Sequence, residues 1–446
     1  MHTDFLKEIF RQNSSASAIC WADTAYSYAW LLEHVHEWEA ALDAHGIKGG
    51  EVVGLEGDFT PQTIALFLAL IEKDCIVVPH NFSNTRERAY RYETAQVERW
   101  FSFNEHDEGG AGVVSQQQSH SLYDTLRERR HPGLVLFTSG SSGKPKAAVH
   151  DFLGLLEKFK VSRRALKTIN FLLFDHWGGL NTMLHTLSNA GEIIPVYDRN
   201  PEAVCALIEK HSIELLPASP TFLNLMLLGK SYSRYDMSSL RAITYGTEPM
   251  PMSTLSRLRE AFPDVRLHQT YGLIELGVLR SKSRDDESLW VKVGGEGYET
   301  RVVDGILHIR AQSAMLGYLN APNPFTEDGW FITGDSVETD GEYIKILGRK
   351  SEMINVGGDK VSPSEIESVI QELDNVAEVT VYGEKHPLVG NIVCAKVRLL
   401  SPEDAKAFSR RLRCFCRQRL QGYKVPVKVS LVTSEQHTDR FKKNRL

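Results

Sequence analysis

Thr138-Ser139-Gly140-Ser141-Ser142-Gly143-Lys144-Pro145-Lys146 follows directly on the apolar run Leu134-Val135-Leu136-Phe137, packing hydroxyls, glycines and two lysines into nine residues. A triphosphate needs that composition. Glycines remove the Cβ atoms that would block close approach, backbone N–H groups and hydroxyls donate to phosphate oxygens, and lysines supply compact positive charge. Taken alone, the stretch could equally be a surface turn. Its spacing does not fit the G-x-x-x-x-G-K-[ST] loop, because Lys144 is followed by proline and not by a helix-opening Ser or Thr.

Working outward, apolar runs suited to buried strands alternate with helical patterns, which predicts an α/β fold built on mainly parallel sheets. Residues 65–71 read as a helix feeding a strand at 75–79, and the pairing recurs at 201–209 with 214–217 and at 252–262 with 265–267. Residues 109–120, rich in Gly, Ser and Gln, read as a surface loop. Beyond Leu347 the pattern changes to a smaller unit: a charged turn, a helix at 362–373, strands at 376–382 and 392–399, and a basic helix through Leu420. The chain therefore divides into residues 1–348 and 349–446, with the boundary at Gly348 to Ser351.

Composition narrows the function classes. With 446 residues, 42% hydrophobic content and no apolar run long enough to span a bilayer, the chain can bury more than one core. The acidic start Met1-His2-Thr3-Asp4-Phe5-Leu6-Lys7-Glu8 lacks the basic-then-apolar order of a signal peptide, which predicts a cytoplasmic protein. Cysteines at 20, 75, 205, 394, 414 and 416 have no disulfide or zinc spacing. A net charge of −6 argues against nucleic acid as a general partner.

The 138–146 run resembles the [ST]-S-G-[ST]-[ST]-G-x-P-K phosphate loop of the adenylate-forming (AMP-binding) superfamily, which includes acyl-CoA synthetases, aryl-acid ligases and peptide-synthetase adenylation domains. Four more segments resemble that family in its order: Tyr271-Gly272-Leu273-Ile274-Glu275, Phe331-Ile332-Thr333-Gly334-Asp335, Gly348-Arg349 through Glu367, and Lys442-Lys443-Asn444-Arg445. The resemblance implies a large N-terminal domain of stacked sheets with flanking helices and a small mobile α+β C-terminal domain. It implies activation of a carboxylic acid by ATP to an acyl-adenylate, then transfer to the thiol of coenzyme A or of a carrier-protein phosphopantetheine.

It also implies roles. Thr138, Ser139, Gly140, Ser141, Ser142, Gly143, Lys144 and Lys146 would hold phosphates. Tyr271, beside Gly272, would stack on adenine, with Gly246, Thr247 and Glu248 forming the turn near the purine. Asp335 would accept from the ribose hydroxyls and Arg349 donate nearby. Glu275 would bind Mg2+, a hard ion that keeps most of its waters. Lys442 would bridge carboxylate and α-phosphate, with Lys443 as the alternative if the register shifts by one. Gly357 and Gly358 would meet the thiol after the small domain rotates.

Thr247 stands at a family glycine, Ile274 at a threonine, Ser351 at an Asp or Lys, and Phe441 at the glycine of the lysine loop. Phe174, Asp175, His176 and Gly179 lie where relatives meet the acid. If Asp175 faces the pocket, an amino acid fits, and if His176 does, an aryl or acyl acid fits, the latter being favoured. The two could instead cap a helix. The basic helix with Arg410, Arg411, Arg413, Arg417 and Arg419 could meet coenzyme A or a separate acyl carrier protein. An enzyme using the adenylate without a thiol, and a non-catalytic nucleotide-binding protein, are the remaining alternatives.

Overall fold

The computed structural model describes residues 2–82, 87–114, 120–138, 144–387, 389–438, 441 and 443. Among these, the large N-terminal part is built on three large sheets and one two-stranded sheet. The first runs Arg266–Gln269, Ala242–Tyr245, Leu215–Ala218, Lys167–Asn170, Glu192–Pro195, Ser17–Trp21 and Thr24–Ser27, parallel except for its last pair. The second has a parallel centre of Gly133–Phe137, Ile76–Asn81, Val52–Gly57 and Arg99–Phe103, flanked by antiparallel strands.

The apolar run at 65–71 lies in the helix Pro61–Glu72, which feeds the strand Ile76–Asn81 as its pattern predicts. Thr60 caps the helix by accepting from Thr63 N at 3.2 Å, with Pro61 in the first turn, where its missing N–H costs nothing. This helix is apolar on nearly every side and is buried throughout. Such a helix belongs inside a protein, and it shares one core with Ile19 and Ile193 of the first sheet, Leu55 and Leu136 of the second, and Leu180 and Leu184 of the helix Trp177–Leu187.

The third sheet is antiparallel throughout: Ser281–Ser283, Trp290–Val293, Tyr343–Arg349, Phe331–Asp340, Ile306–Ala311 and Tyr298–Val303. It carries the Asp335 and Arg349 segments. The small C-terminal part has its own sheet, in which Gly390–Leu399 pairs with Val376–His386 and Lys428–Leu431, and its own core under the helices Pro363–Ile370 and Ala405–Arg417.

The reading of residues 109–120 as a loop needs correction. Gly109–Val113 is an edge strand paired with Arg99–Phe103. Its glycines permit this. A Cβ on Gly112 would lie 2.6 Å from the Trp100 ring, so the bare backbone lets that indole lie across the neighbouring strand.

Candidate functional site

The Tyr271–Leu273 strand turns back on Gly277–Leu279, placing Glu275 in the connecting turn. Gly272 is required there, because a Cβ would meet Val278 Cα at 2.9 Å and Gly277 O at 3.0 Å. The Gly246 turn lies alongside. A side chain on Gly246 would meet Thr270 Oγ1 at 2.5 Å, so glycine lets the turn approach the hairpin. Thr247, exposed, holds φ +74°, the left-handed region that a glycine tolerates and a β-branched residue does not. Glu248 accepts from Thr221 N at 2.8 Å, at the start of the helix Pro220–Gly229.

Asp335 stands at the centre. It is 6% exposed and directly opposite Arg349 across the antiparallel pair. Its Oδ2 accepts from the Tyr271 hydroxyl at 2.5 Å and its Oδ1 pairs with Arg349 Nε at 2.8 Å. Arg349 also donates to Thr333 O at 2.8 Å, and Asp335 N donates to Thr333 Oγ1 at 3.0 Å. Burial pushes the Asp335 carboxyl above its ordinary value, and Arg349 and Tyr271 offset that rise only in part. Burial, then the adjacent carboxylate, pushes the Tyr271 phenol far up, so it remains a neutral donor. A carboxylate has about four lone-pair sites, so Asp335 can accept further hydroxyls beside these two partners.

A second chain of contacts reaches the phosphate-loop segment. Thr138 N donates to Lys146 O at 2.9 Å and Lys146 N to Thr138 Oγ1 at 3.0 Å, closing the mouth of the loop. Ser139, Gly140, Ser141, Ser142 and Gly143 lie outside the described residues. The Lys146 ammonium sits 5.3 Å over the Tyr318 ring, and the Tyr318 hydroxyl donates to Glu275 Oε1 at 2.5 Å. Burial, followed by Glu275, pushes the Tyr318 phenol up and keeps it a donor. Lys144 lies 5.4 Å over Tyr90, whose hydroxyl donates to Pro145 O at 3.1 Å.

Sequence reasoning missed Tyr318, Tyr90 and Asn320, the last donating to Pro145 O at 2.9 Å. They sit in no shared motif, so only folding reveals them. No three His, Cys, Asp or Glu side chains cluster among the described residues as metal ligands. One half-buried carboxylate suits an ion that takes its other oxygens from phosphate and water, as Mg2+ does.

The acid-site segment departs from expectation. Phe174 is fully buried, edge-to-face with Phe59 and Phe67 at 5.4 and 6.0 Å, so it is core and not pocket wall. Asp175 is 2% exposed and pairs with the equally buried Arg91 at 2.6 Å. Its charge is paired with that guanidinium, so the condition under which an amino acid would fit, Asp175 facing the pocket, is not met. Gly179 packs in the first turn of the helix Trp177–Leu187, where a Cβ would meet Leu173 O at 2.3 Å. His176 caps that helix, its Nδ1 accepting from Gly178 N at 3.0 Å. In the neutral ring this places the proton on Nε2. Lys158 ties this helix to the Glu275 hairpin, donating to Asn181 Oδ1 at 2.5 Å and Val278 O at 2.8 Å, and burial pulls its pKa down to about 7.

At the C-terminus, Lys443 is described and Lys442 lies outside the described residues. Lys443 Nζ pairs with Glu367 at 2.9 Å on the small domain, while its backbone N–H reaches Glu248 on the large one at 3.3 Å. Phe441 holds φ +49° and packs against Phe171, Phe222 and His437, with ring centroids 5.5, 5.4 and 5.0 Å away. Gly357 and Gly358, at φ +62° and +101°, form an open hairpin tip next to Asn355 and Val389.

A family model described as AMP-binding enzyme matches residues 6–319, and a second, AMP-binding enzyme C-terminal domain, matches residues 365–442. The 3-[(3aS,4S,7aS)-7a-methyl-1,5-dioxo-octahydro-1H-inden-4-yl]propanoyl:CoA ligase of Rhodococcus jostii is 29% identical, over 96% of this chain and 94% of its own. Indoleacetate–CoA ligase of Aromatoleum aromaticum is 27% identical, over 93% and 90%. Among solved structures, the anthranilate CoA ligase AuaEII in complex with anthranoyl-AMP superposes with a TM-score of 0.85 at 20% identity, covering 100% of this chain and 95% of that one. That likeness shows the fold.

Proposed function

This chain belongs to the AMP-binding enzyme family, as an ATP-dependent, AMP-forming acid–CoA ligase, and from that membership we propose that it activates an aryl or acyl acid and passes it to a thiol. In the first half-reaction the acid's carboxylate oxygen bonds to the α-phosphorus of ATP, the α–β P–O bond breaks and pyrophosphate leaves. In the second, the thiol loses its proton, its sulfur bonds to the acyl carbon and AMP leaves. The demand in the first step is electrostatic, because two anions meet.

The observation that carries the reading is the convergence of Asp335, Arg349 and Tyr271 beside the hairpin whose Glu275 connects through Tyr318 to Lys146. Asp335 receives the ribose diol, Arg349 holds that carboxylate in place, and Tyr271 stacks on the purine. The Gly246–Glu248 turn brings backbone to the purine edge. Thr138 and Lys144 join Lys146 and the Ser139–Gly143 loop around the phosphates. Glu275 would hold Mg2+, which supplies positive charge to the phosphate oxygens when bound. Lys442 stabilises the charge between carboxylate and α-phosphate.

His176, half-buried where Phe174 and Asp175 are buried, is the residue of this segment that meets the acid. The Asp175–Arg91 pair weighs against an amino-acid substrate, because turning that carboxylate to a substrate would break a buried ion pair of 2.6 Å. The small domain pivots at Gly348 to Ser351, between residues 1–348 and 349–446, to bring Gly357 and Gly358 to the thiol.

The test is ATP–pyrophosphate exchange against aromatic, aliphatic and amino acids, with Asp335→Ala as the control. Exchange driven by one aryl or acyl class and lost in the variant supports the reading. Exchange driven by amino acids alone overturns the substrate assignment.

A further inference from the structure

Donors outnumber acceptors in the seam between the helix Trp177–Leu187 and the hairpin of Tyr271–Leu273 with Gly277–Leu279. Trp177 is buried, and its indole Nε1–H meets no acceptor among the described residues. That nitrogen lies beside Gly277, where an added Cβ would sit 3.2 Å from it. One turn further along the same helix face, Asn181 Oδ1 accepts from Lys158 Nζ at 2.5 Å, and Lys158 also donates to Val278 O at 2.8 Å. An ammonium carries three protons, so one is left over. Neither Lys158 nor Arg280, the cation acting on it, pairs with a carboxylate among the described residues. His185, one turn beyond Asn181, brings no negative charge, because burial pulls its pKa down to about 4 and leaves the ring neutral.

A buried donor without an acceptor is destabilising, and a cation without a counter-charge is more so. Both occur here between two elements of the candidate site. The helix begins next to His176, which meets the acid, and the hairpin carries Glu275 in its turn. An acid held at His176 passes Trp177 first, and Asn181 lies five residues on, about 7.5 Å at 1.5 Å per residue. An apolar tail in this seam would leave the indole N–H, the third ammonium proton and the Arg280 charge unanswered. A carboxylate answers all three, since it only accepts, offers about four lone-pair sites and supplies the missing negative charge. We propose that the acid activated by this enzyme carries a second carboxylate at its far end, received by Lys158 and the indole N–H of Trp177, so that the substrate class is a dicarboxylic acid. The proposal rests on the acid–thiol ligase reading above. Lys158 and Trp177 select the acid, while the chemistry takes place at its other carboxylate.

The experiment measures ATP–pyrophosphate exchange by the full chain with matched acids, terephthalate against 4-methylbenzoate and pimelate against heptanoate. In at least one pair the parent should show a kcat/KM about tenfold or more higher for the dicarboxylate, the value of one charge-assisted contact. Lys158→Met should cut that preference about tenfold or more. Trp177→Phe, which keeps a ring and loses only the N–H donor, should cut it about threefold or more, through the KM of the dicarboxylate. A parent without the preference in either pair overturns the proposal, and so does a preference that either variant leaves unmoved. If the parent shows no exchange with any acid, the ligase reading fails separately. Calorimetric binding of terephthalate and pimelate in the presence of ATP then decides the seam: binding by the parent and at least tenfold weaker binding by Lys158→Met upholds it, and equal or no binding overturns it.

Discussion

Replacing Lys443 by alanine tests which of the two adjacent lysines does chemistry. Lys443 Nζ lies 2.9 Å from Glu367 Oε2, and Glu367 is 1% exposed, its Oε1 accepting from Val381 N at 2.9 Å. Truncating the lysine removes from that sealed carboxylate the ammonium 2.9 Å away. Breaking one side of a buried pair costs about 3–5 kcal/mol, and the contacts Glu367 keeps, Val381 N among them, argue for the low end, roughly 3. In a domain the size of the C-terminal one, 1 kcal/mol moves Tm by about 4–8 °C, so a loss of about 12 °C or more is expected in its calorimetric transition.

Calorimetry is the suitable assay, because residues 349–446 contain no tryptophan to report unfolding by fluorescence. Pyrophosphate exchange, measured at a temperature where the variant is fully folded, should stay within about threefold of the parent, while Lys442→Ala falls by about 100-fold or more. The reasoning is refuted if Lys443→Ala keeps the parent Tm and loses exchange. The Glu367 contact would then be dispensable and Lys443 the reacting charge.

Phe441→Ala keeps the left-handed backbone and loses the ring from its seat against Phe171 and Phe222, whereas Phe441→Gly also relieves φ +49°; glycine should therefore be the milder change by about 1 kcal/mol, read as resistance of the C-terminal segment to proteolysis. Equal protection in both variants would show that the backbone is unstrained there. Thr247→Gly should stabilise the protein by about 1 kcal/mol, since φ +74° suits glycine, and a lower or unchanged Tm by calorimetry would contradict this.

The His437–Glu378 ion pair gives a pH dependence. Burial lowers the imidazole pKa, but hydrogen bonding and charge from Glu378 outweigh it and hold the folded value above 6.5. Its stabilisation is therefore complete below about pH 6.5 and is lost as pH rises through that higher folded value. Glu378 is held below its ordinary value, so its share falls away only in acid. The Tm gap between parent and His437→Asn should be widest between about pH 5 and 6.5 and narrow above neutrality. A gap constant from pH 5 to 9 would remove the imidazolium from the account.

Much of this protein is legible before folding. The phosphate-loop composition, the Tyr271–Glu275 segment, the Phe331–Asp335 segment and the switch to a smaller unit after Leu347 are each contiguous, and short backbone turns with particular glycines impose their requirements on neighbouring residues. The alternation of helix and strand is local for the same reason: hydrophobic periodicity is set within one turn or one pleat. Even the departures are visible there, with Thr247 and Phe441 standing out against the family's glycines.

What only the tertiary structure decides are the partnerships between distant segments. Asp175 reads equally as substrate ligand or helix cap until Arg91, 84 positions earlier, is found 2.6 Å away. Tyr318 belongs to no motif until its hydroxyl meets Glu275, and the five arginines between residues 410 and 419 look alike until Glu403 and Glu372 neutralise two of them. Asp335 faces Arg349 only through the register of two antiparallel strands. The physical reason is common to all four: a side chain's role depends on which charges and donors fold against it, and that proximity is set by packing across the chain, not by the residues beside it.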